Sequence, residues 1–588
     1  MSWFRSLVRA FRRPFRHLRK HWRPVLVGLA LIPVHASAML WMPRLLGETL
    51  DMLTAGGDDV ALAATCWLML GLAGAEAAAR FTSRKLLIDT SRVVERSMKD
   101  ELVSHLHTLP TAWFDRAKTG DLTSRMTQDI ELMRFVIGPL LLHGGSALCL
   151  LPAGLVLMLS MNVSVALASL VALLFVFVAM KFVVPRLHQW SKRSQEAIAE
   201  ISQQAQEDFA GIRVVQQFDR VPNELASMAT KNRRYLVANL RLVRLRAVLN
   251  ALMHSTGGAV MLGVLLVGGH EVIVGRITIG ELFQFTGYLA LMTFPLQILG
   301  WTIATVPRAQ AAGERIEELF EVASEPQGGL RPQVRVDIEV RDLTFCYPGA
   351  TTPALRDVSF SLRAGQKLGV LGPVGSGKST LLALLLRLYD PPAGTVFVGG
   401  HDVLEIDARV LRAAFAYAPQ EPFLFSDTVA DNVVFDEPDV SDERRDAAIA
   451  DAALDQDLPQ LRDGLQTVVG ERGVTLSGGQ KQRVSIARAL LSDRPGVLLD
   501  DTLSAVDPTT ERRIVNGLRR AGAGRTLVAA THRLSVTADA DLILVLQDGA
   551  VAQRGTHEEL LRAQGPYAAA WQLQTEARAL EGGEGDGT

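Results

Sequence analysis

The sequence predicts a multidomain chain: an all-α bundle of six membrane spans with long helical extensions into water, followed by an α/β domain on a largely parallel sheet. Three observations predict it. Hydrophobic residues make up 48% of the 588 and mean hydropathy is positive, yet 21% of residues are charged, so different parts must face different solvents. Six mostly apolar stretches, each near or above the ~20 residues a spanning helix needs, occupy about 25–42, 60–79, 139–159, 162–184, 247–274 and 278–305. Past 321 the composition changes, and β-branched runs alternate with helical ones.

Residues 1–24 interleave Trp3, Phe4, Leu7, Val8 and Phe11 with Arg5, Arg9, Arg12 and Arg13. The stretch is too basic, and lacks the small-residue site, for a cleavable signal. It is either an amphipathic elbow helix on an anionic membrane face or a basic topology tag without fixed structure. Basic residues crowd the segment before the first span and the stretches 80–138 and 186–246, whereas 43–59, 160–162 and the region near 275 are poor in them. That alternation places both termini on the cytoplasmic side of the cell inner membrane. Each of the two long basic stretches, split into two antiparallel helices, projects roughly 40 Å at 1.5 Å per residue. At their tips, 113–129 and 207–219 each hold a glycine turn flanked by apolar residues, either a transverse helix docking on a soluble domain or a plain surface turn.

The bundle thus runs from 25 to 320. A Pro/Gly-containing linker covers 321–333, the α/β domain covers 334–575, and 576–588 reads as a disordered tail without apolar periodicity. A net charge of −1 gives no field for nucleic acid. Cys66, Cys149 and Cys346 are scattered and have neither disulfide nor metal-ligand spacing. No repeat of 20–50 residues is present.

GPVGSGKST, Gly372 to Thr380, follows the apolar strand KLGVL and opens the helical run STLLALLLRLY. Gly372, Gly375 and Gly377, with Ser376, let backbone N–H groups curl around phosphate oxygens at a helix N-terminus. Lys378 then neutralises the β/γ-phosphates, and Ser379 and Thr380 follow, Ser379 as a Mg²⁺ ligand. GVLLDD (496–501) is a buried strand ending in two acids, and Asp500 organises Mg²⁺ from the far side. Alone, an acid pair at a strand end is common. LSGGQ places Ser477, Gly478, Gly479 and Gln480 at the start of the helical run KQRVSIARALL, a second anion-binding helix end. One chain with two such ends is best explained by a site shared between two chains.

On these motifs the sequence resembles the ABC transporter superfamily, and within it the exporter half-transporters, over nearly its whole length. The resemblance implies a P-loop NTPase cassette, ATP with Mg²⁺, and two cassettes closing head-to-tail on two ATP molecules. It also implies individual roles. Tyr347 stacks on adenine, and Gln420 senses Mg²⁺ and the membrane domain. TVVGERG (467–473) touches the coupling regions, Ser504 to Asp507 cross between cassettes, and His532 contacts the γ-phosphate.

One position departs from the family pattern: Asp501 stands where competent cassettes usually carry Glu, which polarises the attacking water. Phosphoryl transfer depends on positioning, so this chain's own site is expected to be slow. A heterodimer with a second half-transporter supplying Glu is favoured, with a homodimer as the other arrangement. His35, Glu76, Lys181, Asn250, His254, Gln284 and Gln297 lie in or near apolar spans, either facing substrate or bonding between helices. Few fixed charges there suit a small amphipathic drug or lipid better than a sugar or ion. The expectation is ATP-driven export of such a molecule across the lipid bilayer. An ATP-gated channel or regulatory subunit, or a lipid or peptide exporter acting as a homodimer, are the alternatives.

Overall fold

The computed structural model describes residues 2–583 apart from 57, 327, 334, 438, 471–475 and 504–505. The chain forms two bodies: residues 1–106 with 119–322, and residues 107–118 with 323–588.

The first body is helical throughout. Its long helices are Trp22–Thr54, Asp59–Leu106, Leu141–Met161, Val163–Ala210, Val221–Gly263 and Ile279–Glu321. All six apolar stretches fall on them or on their continuations. Among the described residues, Trp22–Thr54, Asp59–Leu106 and Thr119–Met161 are long and apolar enough to cross a membrane. Helix ends are set by local chemistry. The Asn162 side chain accepts from the N–H groups of Ser164 (2.9 Å) and Val165 (3.2 Å), starting the fourth long helix two residues after the third stops. Thr278 and Glu281 form a reciprocal capping box. Small residues let helices touch: a Cβ at Gly280 would lie 2.1 Å from the Gly47 carbonyl oxygen.

The basic N-terminal stretch folds as the helix Ser2–Lys20, and one face of it is buried within this body. A Cβ at Gly313 would approach the Ala10 carbonyl oxygen to 2.7 Å, so glycine permits that contact. Arg13 donates to Glu101 (2.6 Å) and pairs with Glu317 (2.8 Å), its guanidinium 3.5 Å from the Phe320 ring centroid. Arg16 and His17 also meet Glu101, at 2.5 and 2.7 Å, and Arg9 pairs with Glu321.

In the second body the strands are β1 (Ile338–Phe345), β2 (Leu355–Leu362), β3 (Lys367–Leu371), β4 (Val396–Val398), β5 (His401–Asp402), β6 (Phe415–Ala418), β7 (Gly496–Asp500), β8 (Thr526–Thr531), β9 (Leu542–Gln547) and β10 (Ala550–Gly555). One sheet has the order β10-β9-β3-β8-β7-β6 and is parallel except for β10. Every residue of β7 and β8 is buried, as strands covered on both faces require.

Two of the β-branched runs beyond 321, VDIEVRDLTF and TVFVG, lie outside the parallel sheet and help build a four-stranded antiparallel one, β2-β1-β4-β5. The connections explain it. Nine residues join β1 to β2, and Gly399-Gly400, at φ +61° and +80°, join β4 to β5. A parallel crossover takes a dozen residues or more, whereas a two-residue positive-φ turn is a hairpin. The last helix, Pro566–Gly583, runs past residue 576, so 576–583 are helical where a structureless tail was expected, and 584–588 lie outside the described residues.

Candidate functional site

The phosphate loop leaves β3, the third of the six strands, and enters the helix Lys378–Leu385. Gly377 makes that turn possible. Its φ is +99°, and a Cβ there would lie 2.7 Å from the Ala354 carbonyl oxygen and 2.6 Å from Leu355 Cδ2. A side chain is excluded by conformation and by space. Lys378 Nζ donates to the carbonyls of Gly372 and Pro373, both at 2.9 Å, folding the ammonium over the loop. Burial lowers its pKa, with Asp501 and Asp500 pulling the other way. Ser376 Oγ is buried without a hydrogen-bond partner among the described residues. An anion cradled in the loop would supply the missing acceptor.

Asp500 closes β7. Ser379 Oγ donates to its Oδ1 at 2.8 Å, and the Tyr417 hydroxyl points to its Oδ2 at 3.5 Å. Burial pushes the Asp500 carboxyl up, the Ser379 bond opposes it, and the Asp501 charge adds to the rise. A desolvated carboxylate beside a hydroxyl is a hard oxygen pair that a small divalent cation would relieve. The residues therefore fit Mg²⁺. Among the described residues no three His, Cys, Asp or Glu side chains converge on a metal position, so such an ion takes its remaining ligands from phosphate and water.

Asp501 follows at φ +46°, a left-handed conformation that Asp tolerates better than most residues. Its N–H donates to the Ala530 carbonyl at 2.7 Å, and its Oδ1 lies 2.8 Å from His532 Nδ1, just past β8. Gln420 sits two residues beyond β6 and is exposed. β3, β8, β7 and β6 are neighbouring parallel strands, so Lys378 and Ser379, His532, Asp500 with Asp501, and Gln420 all follow the carboxyl ends of one sheet. That is where open α/β sheets take ligands.

Tyr347 is half-buried, its hydroxyl donating to Thr380 Oγ1 at 3.0 Å. Its ring stands edge-on to Phe345 and to Tyr389, with centroids 5.2 and 5.0 Å away. Tyr389 was missed from sequence. Its hydroxyl donates to Asp115, and burial, then that bond, push it up to about 12. Arg116 donates to the Pro348 carbonyl at 2.7 Å. Residues 107–118, which hold the short helix Thr111–Phe114 and the start of the first tip region, are thus built into the same body as Tyr347, whereas 119–129 belong to the helical body. Tyr417 was missed too, although its place three residues before Gln420 on an apolar strand is a usable signal.

Ser477 caps the helix Gly478–Leu491: its Oγ accepts from Gln480 N–H at 3.3 Å, and Gln480 Oε1 accepts from Ser477 N–H at 2.9 Å. Ser477 and Gly478 are exposed, Gly479 and Gln480 half-buried. This helix rests on a different apolar cluster, through Ile486 and Leu490, from the one holding Leu381 and Leu384 of the phosphate-loop helix. Among the described residues no hydrogen bond joins Ser477–Gln480 to the phosphate loop. Of the remaining expected elements, Glu471–Gly473, Ser504 and Ala505 lie outside the described residues. Asp507 caps the helix Pro508–Ala521, accepting from the N–H groups of Thr509 and Thr510; the Thr509 hydroxyl, then the Thr510 side chain, with those N–H groups adding to them, hold its carboxyl well below the usual range.

In the helical body the second tip breaks at Gly211 and continues as the helix Ile212–Gln217, with Phe209, Val214 and Phe218 exposed. Of the polar residues in or near the spans, Gln284 donates to the Tyr288 hydroxyl at 2.8 Å, and buried His35 lies 3.3 Å from Ser146 Oγ. Glu76 pairs with Arg80 at 3.3 Å, and Lys181 and Asn250 are exposed. The side chains of His254 and Gln297 lie outside the described residues.

Comparison with known proteins adds three kinds of match. The family described as ABC transporter transmembrane region matches residues 25–296, and the family described as ABC transporter matches 355–504. The multidrug resistance-like ATP-binding protein MdlA of Escherichia coli is 34% identical over 98% of each chain. The ATP-dependent lipid A-core flippase of Methylococcus capsulatus is 31% identical over 96% of this chain and 94% of its own. A solved structure of a bacterial Atm1-family ABC exporter with ATP bound superposes with a TM-score of 0.74 at 26% identity, covering 94% of this chain and 98% of that one.

Proposed function

We propose, from the premise that this chain belongs to the ABC transporter family, that it exports an amphipathic drug or lipid across the cytoplasmic membrane as one half of a two-chain assembly. Binding of ATP, and its hydrolysis coupled to transport, come with that membership. The finer reading rests on one observation above all: the carboxyl ends of four adjacent parallel strands lead to Lys378 and Ser379, His532, Asp500 with Asp501, and Gln420.

The loop N–H groups and Lys378 hold the β- and γ-phosphates. Ser379 and Asp500 would hold Mg²⁺, with Gln420 a further candidate ligand, and the ion would supply charge neutralisation for the phosphates. Asp501 orients the attacking water, with its reach shortened by one methylene, and His532, 2.8 Å away, faces the γ-phosphate. Ser477, Gly478 and Gly479 complete the site of the partner chain, an assignment supported by their exposed helix end on a separate cluster. The exposed apolar tip of Phe209, Val214 and Phe218 fits a second chain's cassette. Clamping of nucleotide by both chains favours the closed dimer, and loss of the γ-phosphate releases it. A partner bearing Glu at the position of Asp501 is favoured over a second copy of this chain.

For substrate, the relatives' names speak of multidrug resistance and of lipid A-core, and the apolar spans suit either. Loop charge supports cytoplasmic termini. The test is ATP-dependent accumulation of a fluorescent cationic amphiphile, or of a fluorescent lipid, in sealed inside-out vesicles. Uptake against a gradient that Lys378→Ala abolishes supports export. Uptake that only equilibrates the two sides overturns it in favour of an ATP-gated conduit.

A further inference from the structure

The N-terminal helix carries two sets of basic residues with different fates. Arg9, Arg13 and Arg16 all reach carboxylates on neighbouring helices. Among the described residues Arg12, Arg19, Lys20 and Arg23 have no acidic partner, and no Asp or Glu occurs in the sequence before Glu48. All four are exposed or, in the case of Arg23, laid 5.7 Å from the Trp22 ring centroid.

A groove of about 340 Å³ lies where the helix Ser2–Lys20 turns through His21 into the first long helix. Phe15, Trp22, Val25, Leu26 and Leu29 line it together with Arg19, and Arg23 lies beside the Trp22 ring. Phe15, Trp22 and Leu26 leave 51, 56 and 57% of their surface open, so the chain itself does not fill the groove. The position is informative. The first apolar span begins near residue 25, which sets Trp22 at the level where aromatic side chains meet lipid headgroups. The apolar wall therefore points into the acyl region while the cations stay at the surface.

We propose that this groove is a binding site for one phospholipid with an anionic headgroup. Its phosphate meets Arg19, Lys20 and Arg23, and the start of an acyl chain lies along Val25, Leu26 and Leu29. A zwitterionic lipid satisfies the apolar wall but leaves these three cations without a net counter-charge, so the site selects for net negative charge. A free phosphate satisfies the charges and leaves the groove open, so a lipid rather than a soluble anion is the ligand.

The test uses the full chain in nanodiscs of phosphatidylcholine, with phosphatidylglycerol as the minor component. Brominated acyl chains on one lipid or the other quench nearby tryptophan, and the signal lost in Trp22→Phe isolates Trp22. The expected result is that brominated phosphatidylglycerol quenches Trp22 at several-fold lower mole fraction than brominated phosphatidylcholine. The triple variant Arg19→Gln/Lys20→Gln/Arg23→Gln loses that preference, about fivefold per charge removed. Arg96→Gln, which removes an exposed cation that does not line the groove, keeps it. Equal quenching by the two lipids in the unaltered chain overturns the proposal whatever the variants do. So does a preference abolished by soluble glycerol phosphate, which would make this a free-anion site.

Discussion

Replacing Asp501 by Glu tests the catalytic reading most directly. In the present geometry the Asp501 carboxylate is spent on His532 Nδ1 at 2.8 Å, and the backbone is fixed by φ +46° and by the bond to Ala530. One added methylene carries the carboxylate outward by about 1.5 Å. A misplacement near 1 Å costs on the order of 10²-fold in a reaction governed by positioning. Asp501→Glu should therefore raise turnover at this chain's own site by roughly 10- to 100-fold, equivalent to about 1.4–2.7 kcal/mol of barrier. The assay is phosphate release by the full chain in nanodiscs at saturating ATP and Mg²⁺, with ATP affinity and thermal melting measured alongside. Asp501→Asn should lower turnover below the starting value. Unchanged turnover in the Glu variant, with binding and melting intact, refutes the argument that carboxylate reach limits this site.

Gly377→Ala places a Cβ against the Ala354 carbonyl and forces a left-handed conformation costing about 1–2 kcal/mol; it should cut nucleotide affinity at least tenfold in equilibrium binding. Ser477→Arg should impair nucleotide trapping at the partner's site more than at this chain's own, since Ser477 caps an exposed helix end away from the phosphate loop; equal impairment of both sites would count against the shared arrangement. Burial raises the Glu101 pKa, but bonds from Arg16 and His17 and the charge of Arg13 overcome it and hold the carboxyl below its ordinary value. The stability it lends is then present above the ordinary Glu range of about 4.3 and lost as pH falls through the depressed native value. Proteolytic cleavage of the N-terminal helix should accelerate over that acid window, and Glu101→Gln should speed it at neutral pH while flattening its pH dependence.

Features legible in the sequence are those with a local cause. The glycine spacing before Lys378 has to produce a phosphate-facing turn, and an apolar run such as GVLLD has to be a strand buried on both faces. The direction of strand pairing was not legible for β1 and β4, because an apolar run is the same whichever way its neighbour points; only loop lengths decide. Tyr389 could not be found because its partner, Asp115, is 274 residues away and belongs to a segment that reads as a stalk tip. The docking of Ala10 against Gly313 was hidden for the same reason, since one glycine in a helical run carries no address. At Asp501 the residue type is legible in the sequence, but its 2.8 Å contact with His532, 31 residues on, is not.

The placement of residues 107–118 bears on how this protein can be dissected. The polypeptide passes between its two bodies three times, at 106/107, 118/119 and 322/323. A fragment starting at 323 therefore lacks a piece of its own body: it leaves the Tyr389 hydroxyl and the Pro348 carbonyl without Asp115 and Arg116, and the Glu325 N–H without the Thr108 carbonyl. Two of these three losses adjoin the Tyr347 aromatic cluster. Hydrolysis rates from such a fragment would describe a cassette with its Tyr347 cluster unbraced, and supplying residues 107–118 as a separate peptide should restore part of the difference.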